Sequence, residues 1–232
     1  MNWRDDRGYR GWDPYVPVAK RKADGLKKAK KLLGKGETLA PIEKFSSRKM
    51  AATFWGLAWC DYMETYSDYA NRLPRGRTYA RNGSIVDLRI TTGKVTAMVC
   101  GSDLYRITIT IDKIGNKPWQ AICSDCSKSI HSVIDLMRGK LSDEVIARLT
   151  DPKSGMFPSR SEIKLRCSCP DGAALCKHLA AVLYGVGKRL DTQPELLSAL
   201  RGVDGADLVS EAMAGESSRP IERIESIIGH RQ

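Results

Sequence analysis

An α+β fold is predicted for this 232-residue chain by three observations. Three runs of alternating apolar and polar residues follow one another between residues 86 and 111. Apolar positions at helical spacing flank them on both sides. A tight set of cysteines and a histidine joins a strand-like segment to a helix-like one. The expected architecture is an antiparallel β-meander packed with helices, followed by a small metal-stapled strand-loop-helix module and C-terminal helices. The divisions fall at 1–50, 51–150, 151–191 and 192–232.

Composition narrows the function classes. An apolar fraction of 42% with 28% charged residues excludes a mostly disordered or fibrous chain. No run approaches the roughly 18 apolar residues of a membrane-spanning helix. The first thirty residues are charged and aromatic, without the apolar centre of a secretory signal. A cytoplasmic, nucleic-acid-associated protein is therefore expected. Lys and Arg total 38 against 27 Asp and Glu, a formal charge of +11. Residues 1–50 hold 14 basic and 6 acidic residues, a net of +8, so the remaining chain carries +3. Such a segment attracts polyanions by counterion release, without sequence preference. An acidic membrane is disfavoured, because no apolar face or lipidation signal accompanies the charge.

Taken in order, residues 1–50 alternate charge with Gly and Pro and read as a flexible basic arm, with a short helix around Leu26 to Leu33. Trp55, Trp59, Tyr62, Tyr66 and Tyr69 recur in steps of four and three, one face of a long helix that core packing explains better than base stacking. Arg72-Leu73-Pro74-Arg75-Gly76-Arg77, then Arg81, reads as a basic turn broken by Pro and Gly. Val86, Leu88 and Ile90 alternate with Asp87 and Arg89. Val95, Ala97 and Val99 follow a Thr92-Gly93 turn, and Tyr105, Ile107, Ile109 and Ile111 follow Gly101. These are strands of a meander with one buried face and one polar face. The polar face, with Arg89 and Arg106, is either an ordinary wet surface or a phosphate track.

Ile130, Val133, Ile134 and Met137 mark a further helix ending near Gly139, and Ser142 caps a shorter one running to about Leu149. A loop from Asp151 to Ser161 precedes the cysteine cluster. Beyond it, residues 192–232 read as two or three short helices, the last carrying Ile221, Ile224, Ile227 and Ile228.

Seven cysteines in a chain without a secretion signal argue against a disulfide framework. Cys167, Cys169, Cys176 and His178 form C-x-C-x6-C-x-H, a closed tetrahedral zinc set that leaves no open position for catalysis. Ile163, Leu165, Cys167 and Cys169 share parity, so a strand directs both thiols to its apolar side until Pro170 ends it. Residues two apart on a helix lie about 200° apart around its axis. Cys176 is therefore expected in the loop and His178 on the first helical turn, ahead of Leu179, Val182, Leu183, Val186 and Leu190.

This spacing resembles the SWIM zinc finger family. Trp55 through Tyr69, Asn71 through Arg77 with Tyr79, and Leu200-Arg201-Gly202-Val203 are similar to the flanks of bacterial members, over roughly residues 52–210. The resemblance implies one structural zinc ion and DNA binding or protein interaction, often alongside a Snf-type DNA-dependent helicase.

Other candidates carry less. Cys123 and Cys126 with His131 lack a fourth ligand and the βαβ context of a redox pair, which leaves structural or free thiols. Cys60 and Cys100 are expected to fill core, and His131 and His230 to face solvent. Gly34-Lys35-Gly36 lacks the trailing Lys-Ser/Thr of a nucleotide loop, and no nucleophile elbow or catalytic zinc helix is present. A non-catalytic nucleic-acid binder is expected, DNA ahead of RNA. Lys27, Lys28, Lys30, Lys31, Arg72, Arg75, Arg77 and Arg81 are its candidate phosphate contacts. The alternative is an adaptor docking a helicase or ribonucleoprotein.

Overall fold

The computed structural model describes residues 16–45, 48–65, 72–129 and 141–217. The three expected strands form β1 (Ile85–Thr91), β2 (Lys94–Cys100) and β3 (Leu104–Ile111). A fourth, β4 (Ile163–Cys167), pairs antiparallel with β3, so the sheet runs β1-β2-β3-β4. Register places apolar side chains in rows on one face: Leu88, Ala97, Ile107 and Cys167 form one, and Ile90, Val95, Ile109 and Leu165 the next. A bulge between Ile85 and Asp87 shifts the register, so Ile85 and Leu88, three apart, both join the main core.

Against this face lies α6 (Lys177–Leu190), buried at eleven of its fourteen positions. It is helical at its start because Cys176 caps it, and it is apolar nearly all round because it has neighbours on every side. Two of them are α2 (Phe54–Glu64) and α3 (Leu73–Arg81). Small residues set these crossings. A Cβ on Gly56 would stand 2.4 Å from the Gly187 carbonyl oxygen, and one on Gly76 would stand 2.5 Å from the Ala180 Cβ.

The aromatic stripe is core. Trp59 is 1% exposed, donates from Nε1 to the Leu183 carbonyl at 3.0 Å, and meets Phe157 edge-on. The helix ends at Glu64, and Tyr66, Tyr69 and Asn71 lie outside the described residues. The basic turn expected at Arg72–Arg81 is instead α3. Pro74 occupies its first turn, where a missing amide hydrogen costs nothing. Gly76 provides the close approach to α6 rather than a break.

The segment read as an arm also departs from expectation. Its helix, α1 (Val18–Leu32), is twice as long as the expected one, and it lies on the other face of the sheet. Leu26 and Ala29 cover Val86, Met98, Cys100 and Leu104 there, and Gly25 sits directly over Cys100. The chain then follows β1, where Leu88 donates to the Ala40 carbonyl and Ala40 donates to Asp87.

A helix that the sequence reading did not separate, α4 (Asn116–Ser129), buries Trp119, Ile122, Cys123 and Cys126. It packs on α5 (Asp143–Leu149), whose Ser142 cap accepts from the Val145 amide as expected. After α6 come α7 (Leu196–Arg201) and α8 (Ala206–Ser217), the latter joined to α4 by the Trp119 Nε1 bond to Asp207. The helices expected at Ile130–Met137 and Ile221–Ile228, with His131 and His230, lie outside the described residues.

Three buried polar anchors hold the layers together. Asp191 accepts from the Ala52 and Thr53 amides at the start of α2 and pairs with Lys188. Arg201, 3% exposed, donates to the Asp112 carbonyl and to Glu162. Its neighbour Gly202 takes φ +65°, so the helix closes with a left-handed turn that glycine adopts without strain. The Tyr184 hydroxyl donates to Glu64 and accepts from Arg77, which also pairs with Glu64, linking α2, α3 and α6. Among the described residues no helix is long and apolar enough to cross a membrane.

Candidate metal centre

The centre forms where the edge strand meets the capped end of α6. Cys167 is the last residue of β4 and faces the core, opposite Ile107. Here the structure differs from the expected longer strand. Ser168 closes the ladder, its amide donating to the Arg106 carbonyl and its hydroxyl accepting from the Arg106 amide. Cys169 therefore lies in the turn that follows, not on the strand. Asp171 next accepts from the Ala173 amide and pairs with Arg72 at 3.4 Å, which ties the loop to the start of α3.

Cys176 and His178 take the expected places. Cys176 has extended backbone, and its Sγ accepts from the Leu179 amide at 3.5 Å, so a ligand thiol is also the helix cap. His178, in the first turn and 3% exposed, turns Nδ1 toward the thiols, 3.8 Å from Cys176 Sγ and 3.9 Å from Cys167 Sγ. The four ligand atoms all lie within 4.8 Å of one another. Tetrahedral zinc with sulfur at about 2.3 Å and nitrogen at about 2.0 Å separates its ligand atoms by roughly 3.5–3.8 Å. The donor set and its spacing therefore fit one zinc ion. Among the described residues no other group of His, Cys, Asp and Glu gathers in this way.

The electrostatics favour thiolate at Cys176. Hydrogen bonding from the Cys167 thiol holds Cys176 well below the ordinary thiol range. Burial opposes this, while the His178 ring and the Leu179 amide add to it. Cys167 is pushed up, because the shared proton rests on it. The helix N-terminus supplies positive potential at the same spot. Cysteines elsewhere behave oppositely: burial raises Cys60 to about 12 and Cys100 and Cys126 to about 11. These are inert packing groups, as expected for Cys60 and Cys100.

The far side of the imidazole is closed by rings rather than by an acceptor. Tyr105 lies 4.3 Å from the His178 ring centre, tilted 32°, and Tyr79 meets it edge-on at 5.3 Å. Nε2 has no hydrogen-bond partner and faces Gly101, where a Cβ would come within 2.9 Å. Sequence reasoning missed this wall. Strand alternation puts Tyr105 on the core face, but its approach to His178 depends on where α6 crosses the sheet. Four protein ligands fill the tetrahedral set, so zinc held here would cross-link β4, the loop and α6.

The candidate phosphate contacts fall into two groups. Lys27, Lys28, Lys30 and Lys31 lie exposed on α1, Lys28 pairing with Asp103 at 2.5 Å. Arg72, Arg75, Arg77 and Arg81 lie on or beside α3, which packs on α6. Arg72 pairs with Asp171, Arg77 with Glu64 and Tyr184, and Arg81 donates to the Arg48 carbonyl. Arg75 is exposed, with no such partner among the described residues.

Residues 150–186 match the SWIM zinc finger family. The chain is also similar to an uncharacterized protein of Mycobacterium tuberculosis, 33% identical over 171 residues, which cover 72% of this chain and 61% of that protein. The chain thus spans less than two thirds of the length of the relative it matches. No solved structure matches.

Proposed function

Since residues 150–186 match the SWIM zinc finger family and bring together a Cys/His set that fits one zinc ion, we propose that the protein is a non-catalytic nucleic-acid binder, acting on DNA ahead of RNA. The observation that carries this is the docked helix α1. Lys27, Lys30 and Lys31 lie exposed on it, and none has a carboxylate partner among the described residues. Cations fixed on a folded element lose less freedom on binding than those of a loose arm, and each phosphate they neutralise releases a counterion. Arg75 adds a further charge on α3. In this reading zinc holds the scaffold together and the lysines attract the polyanion. A Snf-type helicase is the proposed setting, following the family resemblance.

The test is a salt titration of the zinc-loaded protein against duplex DNA, single-stranded DNA and structured RNA. Linear loss of log affinity with log salt, several contacts steep, is expected. Absence of binding at about 50 mM salt, where non-specific affinity is high, overturns the reading. A pull-down from nuclease-treated extract separates it from the adaptor role: partners lost with the nucleic acid favour the binder, and retained partners favour the adaptor.

A further inference from the structure

We infer that the open face of the sheet, continuous with the outer side of α1, is a docking surface for the backbone of duplex DNA. The inference rests on the nucleic-acid function proposed above and assigns it a place and a ligand form.

The face is built by register. Arg89, Thr96, Thr108 and Arg166 form one row across all four strands, and Thr91, Lys94, Thr110 and Lys164 form the next. Arg106 stands beside them, opposite Met98. Helix α1 covers the end of this face around Val86, Met98 and Cys100. Because Met98 pairs with Arg106, the uncovered part begins where the helix stops, and its cations share one side of the sheet with Lys27, Lys30 and Lys31.

Charge on this surface is unbalanced. Asp87 is buried and engaged by Arg89 and the Ala40 amide, and Asp112 pairs with Lys164. Lys94, Arg106 and Arg166 are exposed and have no carboxylate partner among the described residues. The zinc centre and α6 occupy the opposite face, so neither obstructs this one.

The form of the nucleic acid follows from what the face lacks and from its width. Single-strand binders stack bases on exposed aromatic rings. The exposed large apolar side chains among the described residues are Val16, Val18, Leu32, Phe54 and Met213, none of them on the sheet. Tyr105, the aromatic of β3, faces the core. What the face offers is guanidinium, ammonium and threonine hydroxyl groups, which suit phosphate and sugar oxygens. Lys94 on β2 and Arg166 on β4, both exposed, stand two strand spacings and two residues apart, about 12 Å. That approximates the roughly 12 Å major groove of B-form DNA, so the outer cations can reach the two phosphate rows while the threonines lie between them. A-form RNA has a narrow, deep major groove and fits less well.

The experiment uses the full-length, zinc-loaded protein and fluorescence anisotropy with a labelled DNA duplex across a salt series. A triple variant, Lys94→Gln, Arg106→Gln and Arg166→Gln, keeps the melting temperature and zinc content, because all three side chains are exposed. It is expected to weaken duplex binding about tenfold or more near 100 mM salt and to reduce the salt slope by up to about 2.7, at about 0.9 per phosphate contact. The exchange Lys94→Arg, Arg106→Lys and Arg166→Lys keeps the charge and is expected to keep the slope. Unchanged affinity and slope in the Gln variant overturn the sheet-face assignment. If Lys27→Gln, Lys30→Gln and Lys31→Gln together still weaken binding, the nucleic-acid reading survives that failure. Tighter binding of a single strand or an RNA duplex than of DNA duplex also overturns the assignment. No binding by the unaltered protein at about 50 mM salt overturns the underlying function itself.

Discussion

Gly101→Ala tests whether the imidazole of His178 is positioned by the wall behind it. The new methyl group would lie 2.7 Å from Tyr105 Cε2 and 2.9 Å from His178 Nε2. Both distances are below van der Waals contact, and both rings are buried. Gly101 is not at positive φ, so the change adds crowding and not backbone strain. Overpacking of this kind costs about 1–3 kcal/mol. Disturbing a group that orients a ligand histidine weakens metal affinity by about 10- to 100-fold. Both effects are expected together, because the ring cannot retreat without moving Nδ1 away from Cys167 and Cys176. The assay is chemical denaturation with and without a strong chelator, combined with competitive zinc titration. The zinc-loaded variant should lose about 2 kcal/mol, and chelation should reduce the difference from the parent, since a released His178 can swing aside. Equal zinc affinity in variant and parent, or the same loss with and without chelator, refutes the reasoning.

Other expectations follow from the same geometry. Cys176→Ser removes a ligand and weakens the α6 cap at once; it should abolish stoichiometric zinc by elemental analysis and lower the melting temperature by several degrees or more. Asp191→Ala leaves the Ala52 and Thr53 amides without their acceptor and should cost about 1–3 kcal/mol, read by urea denaturation. Asp191 also sets a pH dependence. Burial works against its charge, but the Thr53 amide, Lys188 and the Ala52 amide outweigh it and hold its carboxyl below the ordinary range. Its stabilising contribution is thus complete above the unfolded value of about 4 and is lost as pH falls through the lower folded value. Stability measured from pH 6 down to pH 3 should fall less steeply in Asp191→Asn than in the parent. Tyr184→Phe breaks the hydroxyl relay between Glu64 and Arg77 and should cost about 1–2 kcal/mol with zinc content unchanged.

What the sequence made legible depended on the range of the interaction. Cys167, Cys169, Cys176 and His178 were readable because their chemistry needs fixed residue types at short spacing. The meander was readable because Tyr105, Ile107, Ile109 and Ile111 alternate strictly and its turns are short. The partner of Ile163–Cys167 was not, since β4 joins β3 across some fifty residues and no local pattern specifies that pairing. Pro74 and Gly76 suggested a break, because their helix-compatible roles, first turn and close contact, exist only once α6 is in place. Helix α4 carried a usable signal in Trp119, Ile122, Cys123 and Cys126 at steps of three, one and three, which the reading of two cysteines as a possible metal pair obscured. Helix α1 packs through Gly25, Leu26 and Ala29, too small a face to stand out among eight lysines and arginines between residues 20 and 35. The wall of Gly101, Tyr79 and Tyr105 around His178 joins three separate elements and has no sequence signature.

The burial of α6 bears on how this finger can be handled. Many small zinc modules are studied as excised peptides that fold when metal is added. Here the helix that the metal caps is also the helix on which the sheet, α2 and α3 all rest. A peptide of residues 150–186 would expose Leu179, Val182, Leu183 and Val186 on several sides and would aggregate in preference to folding around zinc. Chelation of the intact protein should correspondingly be felt at Trp59, which leans on the Leu183 carbonyl, as a change in its fluorescence. The ion is therefore better regarded as a fastener of the whole domain than as the centre of a detachable one.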